Sequence, residues 1–226
     1  MHSKRYQANN NLTEKNKSYA VEEALELLKK SQKAKFDETV EVHFNLNINP
    51  EKTEQQVRSG VDLPHGTGKD VKVAVFAESQ AELAEAKKAG AKEVGGEELI
   101  EKVRTAGSLE ADVVVATPEM MPKLAKIAKI LGPRGLMPNP KNETVTPRIA
   151  ETVAKLKKGK INFKSDKGGN VHAPIGKISF EPEKLKENFE AFKKALEKSK
   201  PAGVKGKFIK GITLTSSMGI GLRLGN

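Results

Sequence analysis

VKVAVF, residues 71–76, is a nearly unbroken apolar run, and what surrounds it decides the fold. Behind it come a helix-patterned stretch near 79–89 that stops at Gly90, another near 97–106, the apolar run DVVVAT at 112–117 and a basic helix running to Gly132. Short buried strands alternating with helical periods predict a layered α/β arrangement with parallel strands, because a parallel neighbour needs a long crossover between the two strands. A helix near 147–158 completes the set.

Outside this segment the pattern changes. In residues 40–48, Val40, Val42, Phe44, Leu46 and Ile48 alternate with Glu41, His43, Asn45 and Asn47, which predicts a strand with one buried and one polar face. Ahead of it YAVEEALELLKK, residues 19–30, sets Ala20, Ala24, Leu27 and Leu28 at helical spacing, with acids early and lysines late to suit the helix dipole. After Gly159 strand patterns return at 161–164, 171–179 and 208–217, around a helix near 182–198. The two flanks share polar strand faces, so they are placed in one domain interrupted by residues 68–158.

A chain of 226 residues with 37% hydrophobic residues is long enough for one large or two modest cores. Forty Lys and Arg against 29 Asp and Glu give a net charge of +11, which calls for an anionic partner such as nucleic acid or a membrane surface. The membrane is the weaker choice: no apolar stretch approaches the roughly 20 residues a span requires, and MHSKRYQANNNLTEKNK at the start lacks the apolar core of a secretory signal. A cytoplasmic protein is expected. Without cysteine there are no disulfides, thiolate nucleophiles or zinc knuckles, and four scattered histidines form no metal cluster, so neither metal nor cofactor is expected. The cationic residues gather late in the chain. Residues 155–177 hold seven lysines and one acid, Asp166, while residues 200–226 hold four lysines and Arg223 with no acid.

Three segments carry candidate chemistry. In KIAKILGPRGLMPNPK, residues 126–141, Ile127, Ile130 and Leu131 follow helical spacing, Lys123, Lys126 and Lys129 flank them, and prolines stiffen the following loop so that Arg134 and Lys141 are presented on it. In the last strand Thr213, Thr215 and Ser217 share a face opposite Ile212 and Leu214; such hydroxyls suit ribose 2′-OH and phosphate oxygens, although threonine is also enriched in strands for packing reasons. Met218 and Gly219 follow, offering an adaptable apolar contact and close backbone approach. Lys164, Lys167 and His172 surround the DKGG turn, where glycines expose backbone N–H groups and lysines neutralise phosphate, with Asp166 shaping the turn.

The run KILGPRGLMPNPK closely resembles the signature of the bacterial ribosomal protein L-one family, the stalk proteins of the large ribosomal subunit. Similar blocks follow in order at KRY (4–6), AKFDETVEVH (34–43), LPHGTGK (63–69), ATPEMM (116–121), DKGGNVHAPIGK (166–177), KPAGVKG (200–206) and SSMG (216–219), covering nearly the whole chain. The resemblance implies an α/β protein of two domains: a discontinuous α+β two-layer domain of residues 1–67 and 159–226 that holds both termini and binds rRNA, and an inserted three-layer Rossmann-like α/β domain of residues 68–158. GTGKD at 66–70 and KKGK at 157–160 would be its hinges. It places the Ser/Thr-Met-Gly element and Lys35, Phe36, Thr39 and Glu41 against RNA; by parity with Val40 and Val42, Phe36 would instead be buried. Ser217 stands where the family has Thr, keeping the hydroxyl, and Ile220 where it has Pro. The implied partners are the rRNA of the large-subunit stalk, exit-site tRNA facing Lys126, Lys129, Arg134 and Lys141, and the protein's own operon mRNA, for a protein that is ribosome-bound in the cytoplasm and a monomer when free.

Enzymatic motifs fail one by one. HGTGKD at 65–70 is no phosphate-binding loop, because Leu63 stands where its first Gly is needed and Asp70 where the magnesium-binding Ser/Thr is needed. There is no serine elbow or zinc pair, and His43, His65 and His172 show no partner carboxylate at catalytic spacing. No Trp and 4% aromatic residues disfavour a base-stacking module, so recognition of folded RNA by shape and backbone is expected, with a general RNA-binding or RNA-chaperone role outside the ribosome as the alternative.

Overall fold

A computed structural model of the chain describes residues 4–14, 17–31 and 34–225, and it is a mixed α/β protein with several sheets. The chain divides into two compact units, Met1–Gly68 with Ile161–Asn226, and Lys69–Lys160.

The first unit is built on β1 (Thr39–Leu46), the strand read from its alternation, with Val40, Val42, Phe44 and Leu46 buried. Around it lie α1 (Lys4–Asn10), α2 (Val21–Lys30), β2 (Arg58–Asp62) and the later elements β6 (Lys160–Lys164), β7 (Asn170–Lys177), α8 (Pro182–Lys198), β8 (Ile209–Ser216) and β9 (Leu222–Leu224). The main sheet runs β7-β1-β8-β9 with all neighbours antiparallel, while β2 and β6 form a small second sheet. Helix α8 begins on Pro182, whose missing N–H costs nothing in the first turn, and buries Leu185, Phe189, Phe192 and Leu196 at spacings of three and four. Phe44 meets Phe189 and Phe192 with ring centroids 6.1 and 5.5 Å apart, and each such ring contributes about 1.5–3 kcal/mol of burial. The buried cluster lies on one face of the sheet, against α2 and α8, and the other face is polar.

In the second unit β3 (Val73–Phe76) is buried along its whole length between β4 (Glu93–Gly95) and β5 (Val113–Ala116), both parallel to it. Val73, Val75 and Val115 pack with Ala86 of α3 (Gln80–Lys88) and with Ile149, Val153 and Leu156 of α7 (Ile149–Lys158). Ala74, Phe76, Val114 and Ala116 pack with Leu99, Ile100 and Val103 of α4 (Glu97–Ala106) and with Met120, Leu124, Ile127 and Leu131. Helices therefore cover both faces of this sheet, which is why its strands read as unbroken apolar runs.

The expected continuous basic helix is interrupted. It consists of α5 (Met121–Leu124), a 3₁₀ turn Ala125–Ile127 and α6 (Ala128–Leu131), because Ile127 at φ −109, ψ 11 leaves the helical basin. Leu124, Ile127 and Leu131 are still buried, but Ile130 is only half-buried. None of the described helices is long and apolar enough to cross a membrane.

Candidate nucleic-acid interface

The polar face of the main sheet brings most of the sequence-predicted residues together. On β1, Glu41 lies opposite Pro174 of β7 and Thr215 of β8, and His43 lies opposite His172 and Thr213. Thr213 and Thr215 are half-exposed. Ser217 falls just past the end of β8 and turns its hydroxyl sideways: Oγ accepts the Thr39 N–H at 3.2 Å and approaches the Thr39 carbonyl at 3.3 Å and Glu41 Oε1 at 3.4 Å. The Ser217 N–H donates to the Thr39 carbonyl at 3.0 Å, and Lys177 Nζ donates to Thr39 Oγ1 at 3.0 Å.

Beside this hydroxyl row stand two large apolar side chains in water, Phe36 at 55% exposure and Met218 at 56%. Parity with Val40 had placed Phe36 in the core. That expectation is corrected here because the strand begins only at Thr39, and the bend before it turns Phe36 outward beside exposed Lys35. The residue that goes inward is Glu38, 1% exposed. Glu38 Oε2 accepts from Ser216 Oγ at 2.6 Å and from the Met218 N–H at 3.1 Å; Oε1 accepts from the Ala34 N–H at 2.7 Å and from Arg5 Nη1 at 3.3 Å. Burial alone would raise this carboxyl, but the bonds from Ser216, Ala34 and Met218 and the Arg5 charge together hold it below the ordinary carboxylate value. Sequence reasoning missed Glu38, Arg5 and Ser216. The available signal was two polar residues at core-parity positions: Glu38 in step with Val40 and Val42, and Ser216 in step with Ile212 and Leu214.

At the DKGG turn Asp166 Oδ1 accepts from the Gly168 N–H at 2.8 Å and the Asn170 N–H at 2.7 Å, an Asx turn that leaves Lys164 and Lys167 exposed. These bonds, the Asn170 N–H first among them, depress Asp166 to about 2. His172 Nε2 lies 3.3 Å from Asp166 Oδ2, and His43 Nδ1 lies 2.7 Å from His172 Nδ1. Burial, then repulsion from His172, lowers the His43 pKa against the pull of Glu41. The expectation that the histidines lack carboxylate partners is thus corrected, since His65 also meets Glu187 at 2.6 Å; in sequence these pairs are separated too widely, or placed too oddly across a turn, to be seen. Among the described residues no group of three or more His, Cys, Asp or Glu is placed to hold a metal ion.

The second unit carries its own cationic surface. Lys126, Lys129 and Arg134 are exposed, and the side chain of Lys141 lies outside the described structure. Gly135 at φ 69 reverses the chain, with its N–H on the Gly132 carbonyl at 3.0 Å and the Leu136 N–H on the Leu131 carbonyl at 3.0 Å, so the loop is fixed by bonds as well as by proline. Lys123 is not a free flanking cation: Glu78 and Glu97 clasp it at 2.5 and 2.8 Å and raise its pKa.

A model of the ribosomal protein L1p/L10e family matches residues 28–220. The large ribosomal subunit protein uL1 of Fervidobacterium nodosum is 52% identical over 223 residues, covering 99% of this chain and 94% of that one. Its counterpart in Thermosipho africanus is also 52% identical over 223 residues, with 99% and 96% covered, and that of Mycoplasma capricolum subsp. capricolum 50% identical over 222 residues, with 98% and 97% covered. A family model spanning most of the chain and full-length likeness at this identity leave one assignment: the chain belongs to the ribosomal protein L1p/L10e family, and is accordingly a structural ribosomal protein and not an enzyme.

Proposed function

We propose that this protein is a constituent of the large ribosomal subunit and binds large-subunit rRNA through the open face of the unit containing both termini, with Lys35, Phe36, Thr39, Glu41, Lys164, Lys167, His172, Thr213, Thr215, Ser217, Met218 and Gly219 as the contact surface. The observation that carries the reading is the exposure of Phe36 and Met218 at 55% and 56%, at the end of the β1/β8 pair where Ser217 and Glu41 are hydrogen-bonded. Exposed large apolar groups on a rigid polar frame gain by covering sugars or bases, and +11 supplies the attraction that brings RNA there. In this reading the bound rRNA forms the mobile stalk, residues 68–158 are an inserted domain whose Lys126, Lys129, Arg134 and Lys141 face exit-site tRNA, and motion about the glycine-bearing connections accompanies tRNA release. The same face would bind an rRNA-like site on the protein's own mRNA, giving feedback repression when rRNA is saturated.

The test is titration of the protein against a folded stalk-rRNA fragment and a scrambled RNA of equal length over a range of salt. Preference for the native fragment that persists at high salt is expected, with Ser217→Ala and Met218→Asp each weakening it by about tenfold while leaving the protein folded. Equal affinities that collapse together with salt would reduce the protein to a general RNA binder or chaperone and refute the proposal.

A further inference from the structure

We infer that Arg5 and Glu38 form a positioning bracket for the RNA face: without touching RNA, they fix the Met218 peptide and the bend that carries Phe36, and so make the N-terminal helix part of the binding machinery. The inference rests on the RNA-binding reading of that face and extends it to residues outside the contact surface.

The bracket is visible atom by atom. Arg5 Nη1 donates to Glu38 Oε1 at 3.3 Å while Nη2 donates to the Met218 carbonyl at 3.0 Å, and Glu38 Oε2 accepts the Met218 N–H at 3.1 Å. Both polar groups of residue 218 are therefore held, its N–H by the carboxylate and its C=O by the guanidinium. Glu38 Oε1 also takes the Ala34 N–H at 2.7 Å, and the Glu38 carbonyl takes the Ile178 N–H at 2.9 Å, so the bend around Phe36 is pinned at the same point. The Ser216 carbonyl closes the turn on the Gly219 N–H at 2.9 Å. Three chain segments far apart in sequence meet at one carboxylate whose side chain is 2% exposed, while the Arg5 side chain is 26% exposed.

Two physical consequences follow. The side chains of Phe36 and Met218 are exposed yet grow from backbone tied to one carboxylate, so the ordering cost left for binding is that of their side chains and not of the chain that carries them. The Arg5 charge also neutralises a buried anion beneath the RNA-facing surface, and its planar fork presents two nitrogens at a fixed separation to two acceptors on different segments, where an ammonium would have to bond both from one atom.

The experiment compares wild type, Arg5→Ala and Arg5→Lys, with Lys167→Ala as a phosphate-contact control, in titrations of native and scrambled RNA across salt. Methyl-labelled methionine NMR of the free proteins supplies a second readout. Both Arg5 variants should lose about tenfold on the native fragment and little on the scrambled RNA, with the salt slope unchanged, whereas Lys167→Ala should reduce the slope by about one. The Met218 methyl resonance should shift in both Arg5 variants while those of Met120, Met121 and Met137 stay in place. Full rescue by Arg5→Lys, a proportional loss on scrambled RNA, or an unmoved Met218 resonance would each overturn the bracket in favour of a simple charge. Should Arg5→Ala fail to fold, Arg5→Lys alone carries the comparison. A wild-type protein that does not discriminate the RNAs refutes the RNA-binding reading and this inference with it; a discriminating wild type with silent Arg5 variants refutes this inference alone.

Discussion

Ser216→Ala removes the shortest bond to the buried carboxylate, Ser216 Oγ to Glu38 Oε2 at 2.6 Å, and its cost follows from the geometry. A hydrogen bond to an ionised group contributes about 1.5–3 kcal/mol, and Ser216 at 3% exposure admits no water to replace it, so a loss of about 2 kcal/mol is expected at neutral pH. With a urea m-value of about 2 kcal/mol/M this lowers the denaturation midpoint by about 1 M. Tyrosine fluorescence is the appropriate probe, since the chain has no Trp and its two tyrosines, Tyr6 and Tyr19, both lie in the unit that contains Glu38. The loss should also depend on pH. The Glu38 carboxyl lies below its ordinary 4.5 in the folded protein, so its stabilising contribution is present above that value and disappears as pH falls through the folded pKa. The mutation moves the folded pKa upward. The gap between wild type and variant should therefore be widest at neutral pH and shrink, on acidification, toward the roughly 1 kcal/mol of a neutral hydrogen bond. A gap independent of pH, or a midpoint shift below about 0.2 M, would refute the assignment of Glu38 as a charged acceptor.

The same site predicts non-additivity. A Cβ at Gly219 would stand 2.2 Å from Ser216 Oγ, forcing that hydroxyl off Glu38, so Gly219→Ala should cost about 2 kcal/mol in wild type and well under 1 kcal/mol in the Ser216→Ala background; additive losses in the denaturation cycle would exclude the steric route. Asn188→Ala should destabilise the same unit by about 3 kcal/mol, because buried Asn188 accepts the His65 N–H at 3.0 Å and donates to the Gly66 and Ile175 carbonyls at 2.9 and 2.8 Å; a midpoint within error of wild type would show these groups to be satisfied otherwise. Arg134→Glu should leave affinity for the stalk-rRNA fragment unchanged while altering protection of tRNA on the ribosome, and equal loss of both would move the GPRG loop into the rRNA site.

Legibility in the sequence followed how local the cause was. Helix α8 could be placed because its buried stripe, its Pro182 start and its length are all encoded within the segment. Strand β1 and the threonine face of β8 were each visible from alternation, but that Glu41 lies opposite Thr215 is a matter of register, which only the pairing of the two strands reveals. Elements that exist only through a partner were not visible: β4 is three residues, EVG, held by parallel pairing with β3, and β9 is LRL held by the edge of β8. Helix α1, KRYQANN, has too little apolar patterning to announce itself, and Arg5 finds its partners 33 and 213 residues away. The break at Ile127 was equally hidden, because a 3₁₀ turn preserves the apolar spacing of the helix it interrupts. Parity held at Glu38, one residue ahead of β1, and failed at Phe36, because the chain bends at Lys35 and Phe36 and alternation no longer describes it there.

The proposed face also constrains what kind of RNA group it takes. Net charge draws in any polyanion, and that attraction weakens alike for right and wrong RNA as salt rises. Discrimination must come from groups with little freedom left, and Ser217 is one of them. Its hydroxyl has one hydrogen and two lone pairs; Thr39 N–H occupies one lone pair at 3.2 Å, and the hydrogen is committed toward the Thr39 carbonyl or Glu41. What remains is an acceptor. The Glu41 side chain beside it offers carboxylate oxygens, which are acceptors as well. A phosphate oxygen cannot donate to either, whereas a ribose 2′-OH or a base amino group can, so on the proposed reading this part of the surface would take donors on RNA and leave phosphate to Lys164 and Lys167 on the neighbouring turn.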